Sequence, residues 1–308
     1  MIQPATPGGT FLGMFTPGTP QWDAARSGLV VTATEIAAVL GLSPWQSRFS
    51  LWHAKAGLAS PPFEANPAIE WGVRLEDAVA TRFHDDHPEW LPMPAGTWRS
   101  ASRPWQVATP DRLLYPITDA ADWTGAADLA EDPTALLEIK TSPQGTEWGE
   151  VGSDDIPVYY RAQVLWQLDT LGLDTCHVAV LIGGCDYREY TVAYDPDEAL
   201  LLRDAAQGFL HDVRHRVRPP IDGSDATWQT VKRQHPDIDD TDIEVPAGIA
   251  DRYETARIHA ASAADELAVA KAALLDAMGS ARRAIRGDRL IAYRTANALQ
   301  PARERKAA

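Results

Sequence analysis

Glu138-Ile139-Lys140 closes the apolar run Ala135-Leu136-Leu137 and sets a carboxylate and an ammonium two residues apart on what reads as a short buried strand. Side chains alternate along a strand, so Glu138 and Lys140 share one face while Ile139 points back into the core. A charged pair on the face of a buried strand is costly unless something polar is bound there. A divalent metal with its activated water suits that position. Upstream, Trp105-Gln106-Val107-Ala108-Thr109-Pro110-Asp111 is a second apolar stretch that ends on an acid. Two carboxylates and an ammonium are what hydrolysis of a phosphodiester at neutral pH needs. The acids are oxygen ligands for a hard cation, and the ammonium can orient the attacking water or help deprotonate it.

The elements that must position these groups are legible in outline. Thr32-Ala33-Thr34-Glu35 reads as a capping box opening a short helix through Ile36, Val39 and Leu40, and Ser43-Pro44 as the start of a second helix that buries Trp45, Phe49 and Trp52. Trp71, Leu75, Ala78, Val79 and Phe83 recur at helical spacing over about 69–83. A β-hairpin is expected next, with Trp105 to Tyr115 as its first strand and Ala135 to Lys140 as its second. Pro157 opens a helix to about Leu171, strands follow at Cys176–Ile182 and Tyr187–Val192, and Asp195-Pro196 introduces a helix to about Arg216. Pro219-Pro220-Ile221-Asp222-Gly223 is a breaker cluster. The expected division is therefore a loose segment over 1–21, a main domain over 22–220, an appendage over 221–295 and a loose tail over 296–308. Within the appendage, Pro246 to Met278 has helical periodicity, and Arg282 to Arg294 reads as a hairpin turning at Gly287-Asp288.

Five motifs in order resemble the YqaJ-like viral recombinases, relatives of the phage lambda exonuclease within the PD-(D/E)xK nucleases. Arg26-Ser27-Gly28 followed by Thr32-Ala33-Thr34-Glu35-Ile36 is similar to the family's opening arginine and T-A-S-E helix entry. Trp71-Gly72-Val73-Arg74-Leu75-Glu76 resembles its W-G-x-x-x-E helix, Thr109-Pro110-Asp111 its S-P-D, Leu137-Glu138-Ile139-Lys140 its L-E-x-K, and Tyr160-Arg161-Ala162-Gln163-Val164 its Y-x-x-Q-V. The resemblance implies an α/β (α+β) fold, a restriction-endonuclease-like mixed sheet flanked by helices, with a helical and hairpin appendage. It implies digestion of double-stranded DNA from its 5′ end, with Mg²⁺ or Mn²⁺ held by Asp111, Glu138 and the Ile139 carbonyl, and Glu76 serving a second ion. Lys140 and Gln163 would complete the catalytic set. Arg26, Thr34 and Thr109, the last two standing where the family has serine, match positions that hold the 5′ phosphate, and Tyr160 would also face substrate. A single-strand annealing protein is the implied partner. A ring-shaped trimer is known among the relatives, and a homo-oligomer is left open, since the chain shows no clear oligomerisation signal.

One departure from the family pattern leaves a choice. Arg112 follows Asp111 where relatives often carry glycine, and 115–134 is a long insertion whose Gly125-Ala126-Ala127-Asp128 offers a rival acid. Asp111 is preferred because it follows an apolar run and the T-P-D match. A structure-specific or restriction-like endonuclease uses the same residues, and a degenerate DNA-end or partner-binding module is the non-enzymatic alternative. Among the histidines, His84-Asp85-Asp86-His87 lacks cysteine partners for zinc and reads as a polar helix end. No glycine-rich phosphate loop suggests ATP use.

Bulk composition narrows the partners. The 308 residues carry a formal net charge of −15, which argues against coating nucleic acid by bulk attraction but not against a local site. Arg214, Arg216 and Arg218, and Arg282, Arg283, Arg286 and Arg289, are candidate basic patches. With 2 cysteines there is no disulfide framework, and Cys176 reads as core. No apolar run reaches membrane-span length and no signal peptide is evident, so a cytoplasmic protein is expected.

Overall fold

The Gly- and Thr-rich start of the chain forms a strand, β1 (Gly9–Gly13), in place of the loose segment its composition suggested. Its pairing partner is Thr97–Ser100, with Phe11 opposite Trp98 and their rings 5.2 Å apart. A side chain at Gly8 would meet the Gly172 backbone at 2.9 Å, and the Gly8 amide donates to the Leu171 carbonyl at 2.8 Å, so glycine is what lets these two segments approach. The computed structural model describes residues 5–60, 66–117, 132–296 and 298–302. It divides into two units, Met1–Pro236 and Asp237–Ala308.

In the first unit the Thr19 hydroxyl caps α1 (Pro20–Arg26). After β2 (Val31–Thr32), the one-turn helix α2 (Ile36–Val39) keeps half of the expected capping box: the Thr32 amide donates to Glu35 Oε2 at 2.9 Å, while the Thr32 hydroxyl faces that of Thr34. The next helix, α3 (Arg48–Lys55), starts later than Ser43-Pro44 predicted, at a reciprocal Ser47–Ser50 box. Trp45 therefore lies before the helix and is 65% exposed, contrary to expectation. Then come α4 (Pro67–Asp86), β3 (Trp90–Pro94), β4 (Thr97–Ser100), β5 (Gln106–Ala108), β6 (Arg112–Pro116), β7 (Ala135–Ser142), α5 (Val158–Leu171), β8 (Thr175–Ile182), β9 (Asp186–Ala193), α6 (Pro196–Arg214) and α7 (Asp225–Gln234). On α4 the buried line is Val79, Ala80 and Phe83, whereas Trp71 and Ala78, expected inside, are exposed.

The strand expected from Trp105 to Tyr115 is two strands in two sheets. β5 belongs to a four-stranded sheet of order β1-β4-β5-β2, and β6 to a five-stranded sheet of order β3-β6-β7-β8-β9. Pro110, with no N–H and a fixed φ, cannot continue a ladder, so the chain leaves one sheet and enters the other across Thr109-Pro110-Asp111. β6 still pairs antiparallel with β7, as the hairpin reading required. β7 pairs in parallel with β8, and the crossover this demands is α5. The five-stranded sheet is covered on both faces, which is why β7 begins as an unbroken apolar run. Leu136 packs in the larger core with Trp98, Trp166 and Phe209, whereas Leu137 and Ile139 pack with Val79 and Phe83 of α4. Glu138, in phase with Leu136, therefore faces α5.

The domain boundary moves from Pro220 to Pro236. The Pro-Gly cluster is a turn between two helices of one unit: Thr227 and Thr230 of α7 are buried, and the Thr227 hydroxyl donates to Ser47 Oγ at 2.7 Å. The second unit holds α8 (Ala247–Met278) and a three-stranded sheet of β10 (Arg283–Arg286), β11 (Arg289–Arg294) and β12 (Leu299–Pro301). The hairpin was legible, turning at Gly287 with φ +59°, but β12 was not. Met278, Ala284 and Ala292 make its small core, while Arg283, Arg286 and Arg289 are exposed. Among the described residues no helix is long and apolar enough to cross a membrane.

One buried carboxylate ties the four-stranded sheet to both α5 and α6. Asp169 accepts from Arg103 Nη2 at 3.0 Å, Gln106 Nε2 at 2.8 Å, the Tyr194 hydroxyl at 2.8 Å and Arg203 Nη1 at 2.6 Å, and its side chain is 5% exposed. Removing it takes the shared acceptor from the Gln106 amide, the Tyr194 hydroxyl and two guanidinium groups. Asp169→Ala is expected to cost the first unit about 3 kcal/mol or more in urea unfolding followed by tryptophan fluorescence. A loss below about 1 kcal/mol would mean that water replaces the carboxylate without penalty.

Candidate active site

Glu138 is 1% exposed and accepts from three side chains. The Lys140 ammonium, on the same strand face, pairs with its Oε1. Gln163 Nε2 also reaches Oε1, at 2.5 Å, and Gln167 Nε2 reaches Oε2 at 2.8 Å. The two glutamines sit one turn apart on α5, so a single helical stripe covers the carboxylate. Burial alone works against charge on Lys140, but Glu138 and Asp111 beside it hold its pKa above the usual lysine range. Its Nζ also lies 4.9 Å above the Tyr160 ring, one more turn back along the same stripe.

Asp111 arrives from the other direction. The Pro110 break turns its side chain onto β7, where Oδ2 accepts from the Ile139 amide at 2.7 Å. Burial, then the neighbouring charges of Glu138 and Glu76, push its carboxyl up to about 8, against the opposing effects of Lys140 and the Ile139 amide. The structure thus brings Asp111, Glu138, Lys140, Gln163 and Tyr160 together. Asp128, the rival acid, lies outside the described residues.

Glu76 joins the cluster through a residue that sequence reasoning treated only as a departure. Arg112 is buried, and its Nη1 donates to Glu76 Oε1 at 2.5 Å and to the Asp111 carbonyl at 2.7 Å, while Nη2 reaches Asp77 Oδ1 at 2.6 Å. It clamps α4 to the start of β6. Gly72, one turn before Glu76, lets that face of α4 approach β7: a side chain there would meet Thr141 Oγ1 at 3.3 Å. The space that glycine opens is filled by a hydroxyl of β7.

A second cluster adjoins the first. Arg26 Nη1 donates to Thr109 Oγ1 at 3.0 Å and Nη2 to Thr34 Oγ1 at 3.2 Å, with the guanidinium carbon 4.2 Å from the centre of the Trp22 ring. Desolvation lowers the Arg26 pKa, partly offset by Glu35 and Asp23. Thr97 and Thr32 extend the hydroxyl row, at 3.1 Å from Thr109 and 3.2 Å from Thr34. Thr109 and Asp111 are next-but-one neighbours, so the two clusters meet at the Pro110 turn.

Among the described residues no three of His, Cys, Asp and Glu converge into a ready-made metal cage. In kind, however, the donors fit a hard divalent cation. They are oxygens only, burial and then their mutual repulsion raise Asp111, and Gln167 Oε1 is a buried acceptor with no hydrogen-bond donor among the described residues. The histidines of the 84–87 segment do other work: His84 Nδ1 contacts the Trp90 carbonyl and His87 Nε2 the Glu189 carboxylate, each at 2.6 Å. Of the first basic patch, Arg216 is spent on the Ala56 carbonyl and Arg218 on the Phe49 ring. Arg112, Thr97 and Thr32 were missed in the sequence. Gln167 carried a signal, being four residues after Gln163.

Comparison with known proteins places this geometry. The profile of the YqaJ-like viral recombinase domain matches residues 21–174. The uncharacterized protein YqaJ of Bacillus subtilis (strain 168) is 25% identical over 210 residues, which are 67% of this chain and 60% of that one. In structure, LHK-Exo, an alkaline exonuclease from Laribacter hongkongensis, is 19% identical with a TM-score of 0.49, covering 64% of this chain and 94% of its own. Its complex with dAMP gives 18% identity and a TM-score of 0.50, covering 71% and 98%, a similarity of fold. With two cores flanking a mixed sheet and the five motif segments gathered at one end of β7, the chain belongs to the YqaJ-like viral recombinase family.

Proposed function

We propose that the chain is a metal-dependent exonuclease that digests double-stranded DNA from the 5′ end, leaving a 3′ strand for a single-strand annealing protein. One observation carries the reading: Asp111 meets the Glu138–Lys140 pair on one side of Pro110, while Thr109 holds Arg26 on the other. An acid–acid–lysine centre beside a preorganised guanidinium and two hydroxyls suits a scissile phosphodiester next to a terminal phosphate. Family membership and the fold shared with LHK-Exo support it.

Bound Mg²⁺ or Mn²⁺ supplies charge neutralisation on the scissile phosphate and an acidified water. Asp111, Glu138 and the Ile139 carbonyl would hold one ion, with Glu76 serving a second beside Asp111. Lys140, paired with Glu138 on the same strand face, would donate to and orient the attacking water. Gln163 and Gln167 keep the Glu138 carboxylate fixed, and Tyr160 holds the Lys140 head group. Arg26, Thr34 and Thr109 bind the 5′ phosphate through charge-assisted and hydroxyl hydrogen bonds.

Chelation should abolish digestion of end-labelled linear duplex, and Mg²⁺ or Mn²⁺ should restore it; cleavage that persists in excess chelator removes the metal reading. Asp111→Asn and Glu138→Gln should each cost on the order of a thousandfold in rate with the fold intact by circular dichroism. Asp128→Ala should be mild, and if it is the inactive variant instead, the ligand assignment passes to Asp128.

Initial rates on 5′-phosphorylated and 5′-hydroxyl duplexes test the end pocket. Arg26→Ala should lose roughly tenfold or more on the phosphorylated end and little on the hydroxyl end. Equal losses would make Arg26 structural. Cutting of covalently closed circles by the unaltered protein would move the assignment to an endonuclease.

A further inference from the structure

Trp45 is a large aromatic side chain left 65% exposed on a loop that is fastened on both sides. Before it, the Ser43 hydroxyl accepts from the Trp45 and Gln46 amides, each at 3.2 Å; after it, the Ser47–Ser50 box starts α3. The indole does not wave freely. It stands edge-on to the Tyr159 ring, with centroids 5.1 Å apart and planes at 81°, and lies 6.0 Å from the Tyr160 ring. Tyr159 is pinned in turn, 4.5 Å from Tyr160 and with its hydroxyl donating to Glu147 at 2.9 Å. Tyr160 is the ring beneath Lys140. A rigid row of aromatic rings thus runs from the catalytic ammonium outward to an uncovered indole.

We propose that Trp45, buttressed by Tyr159 and Tyr160, is a stacking ledge for a nucleobase within the first nucleotides of the 5′-ended strand. This rests on the nuclease reading, and it names a contact that reading does not include. An exposed apolar ring costs free energy unless a partner covers it, and every nucleobase presents a flat face that does so without regard to sequence. The surroundings favour a base over a phosphate: the Glu147 carboxylate holds the hydroxyl of Tyr159, the ring against which the indole stands, and the whole chain is acidic at −15. A stacking contact holds the strand without adding positive charge. It also differs in kind from the Arg26 contact, because stacking is insensitive to salt whereas phosphate contacts weaken as salt rises.

The test uses the full chain in chelator, so that no cleavage occurs, with 5′-phosphorylated duplexes carrying 5-iodouracil at the first, second or third nucleotide. Near-ultraviolet irradiation should cross-link one of these positions to Trp45 or Tyr159, as read by peptide mass spectrometry. Trp45→Ala should weaken binding in fluorescence anisotropy roughly tenfold, by the same factor at about 50 and about 200 mM salt, whereas Trp45→Phe should stay within about twofold. The pair of variants separates a lost stack from a lost loop anchor, with circular dichroism as the check on folding. Unchanged binding by Trp45→Ala, or cross-links confined to other residues, overturns the ledge, as does a failure of the unaltered chain to bind these duplexes. If the unaltered chain cross-links at Trp45 but digests no duplex with Mg²⁺, the ledge stands and the nuclease reading falls.

Discussion

A carboxylate with 1% exposure cannot sit against a packed sheet unless both of its oxygens find donors, and Glu138 sets that condition for the unit around it. The answers come from two elements far apart in sequence. Lys140 supplies a charge from the same strand, and Gln163 and Gln167 supply amides from the crossover helix. For these donors to meet, β7 and β8 must be parallel and α5 must lie across them with one particular rotation about its axis. The constraint is local in chemistry and long-range in topology. That is a common signature of buried polar clusters, which cannot slide as apolar contacts can.

Much of this was legible because it rests on local rules. The period of two places Glu138 with Lys140, the period of 3.6 places Gln163 with Gln167, and prolines mark the starts of α5 and α6. What the sequence concealed depends on tertiary choice. Trp105 to Tyr115 has one continuous apolar character, and only Pro110 hints that its halves serve different sheets. Trp45 reads as core because tryptophan is usually buried, and nothing nearby reveals that its loop turns outward. Arg112 looked like a departure from the family pattern, yet it is the buried cation that ties Glu76 to the Asp111 backbone. β1 was invisible because glycine and threonine carry little hydrophobic pattern, although the close backbone approach at Gly8 and Gly172 depends on that very lack of side chains.

The distribution of charge runs against the bulk number. At −15 the chain repels polyanions at a distance, yet its best-placed cations are turned inward. Lys140 is held by Glu138, Arg112 by Glu76 and Asp77, and Arg26 by two threonine hydroxyls rather than by an acid. Of the three, only Arg26 makes its hydrogen bonds to neutral partners. Its guanidinium therefore forms no ion pair among the described residues, and desolvation lowers its pKa with only the more distant charges of Glu35 and Asp23 in partial offset.

The turn at Thr109-Pro110-Asp111 has a mechanical meaning. Two clusters whose anchors are next-but-one neighbours in the chain cannot drift apart by more than about 7 Å between α-carbons, and proline removes one of the few torsions that could alter even that. The turn is a gauge block. Wherever the packing of α4 and α5 sets Glu76 and the glutamines, the backbone distance from Thr109, which anchors Arg26, to Asp111 stays the same. Changing it would take an inserted or deleted residue, a step of roughly 3.5 Å, too coarse for gradual adjustment. The dimension is therefore inherited whole or lost.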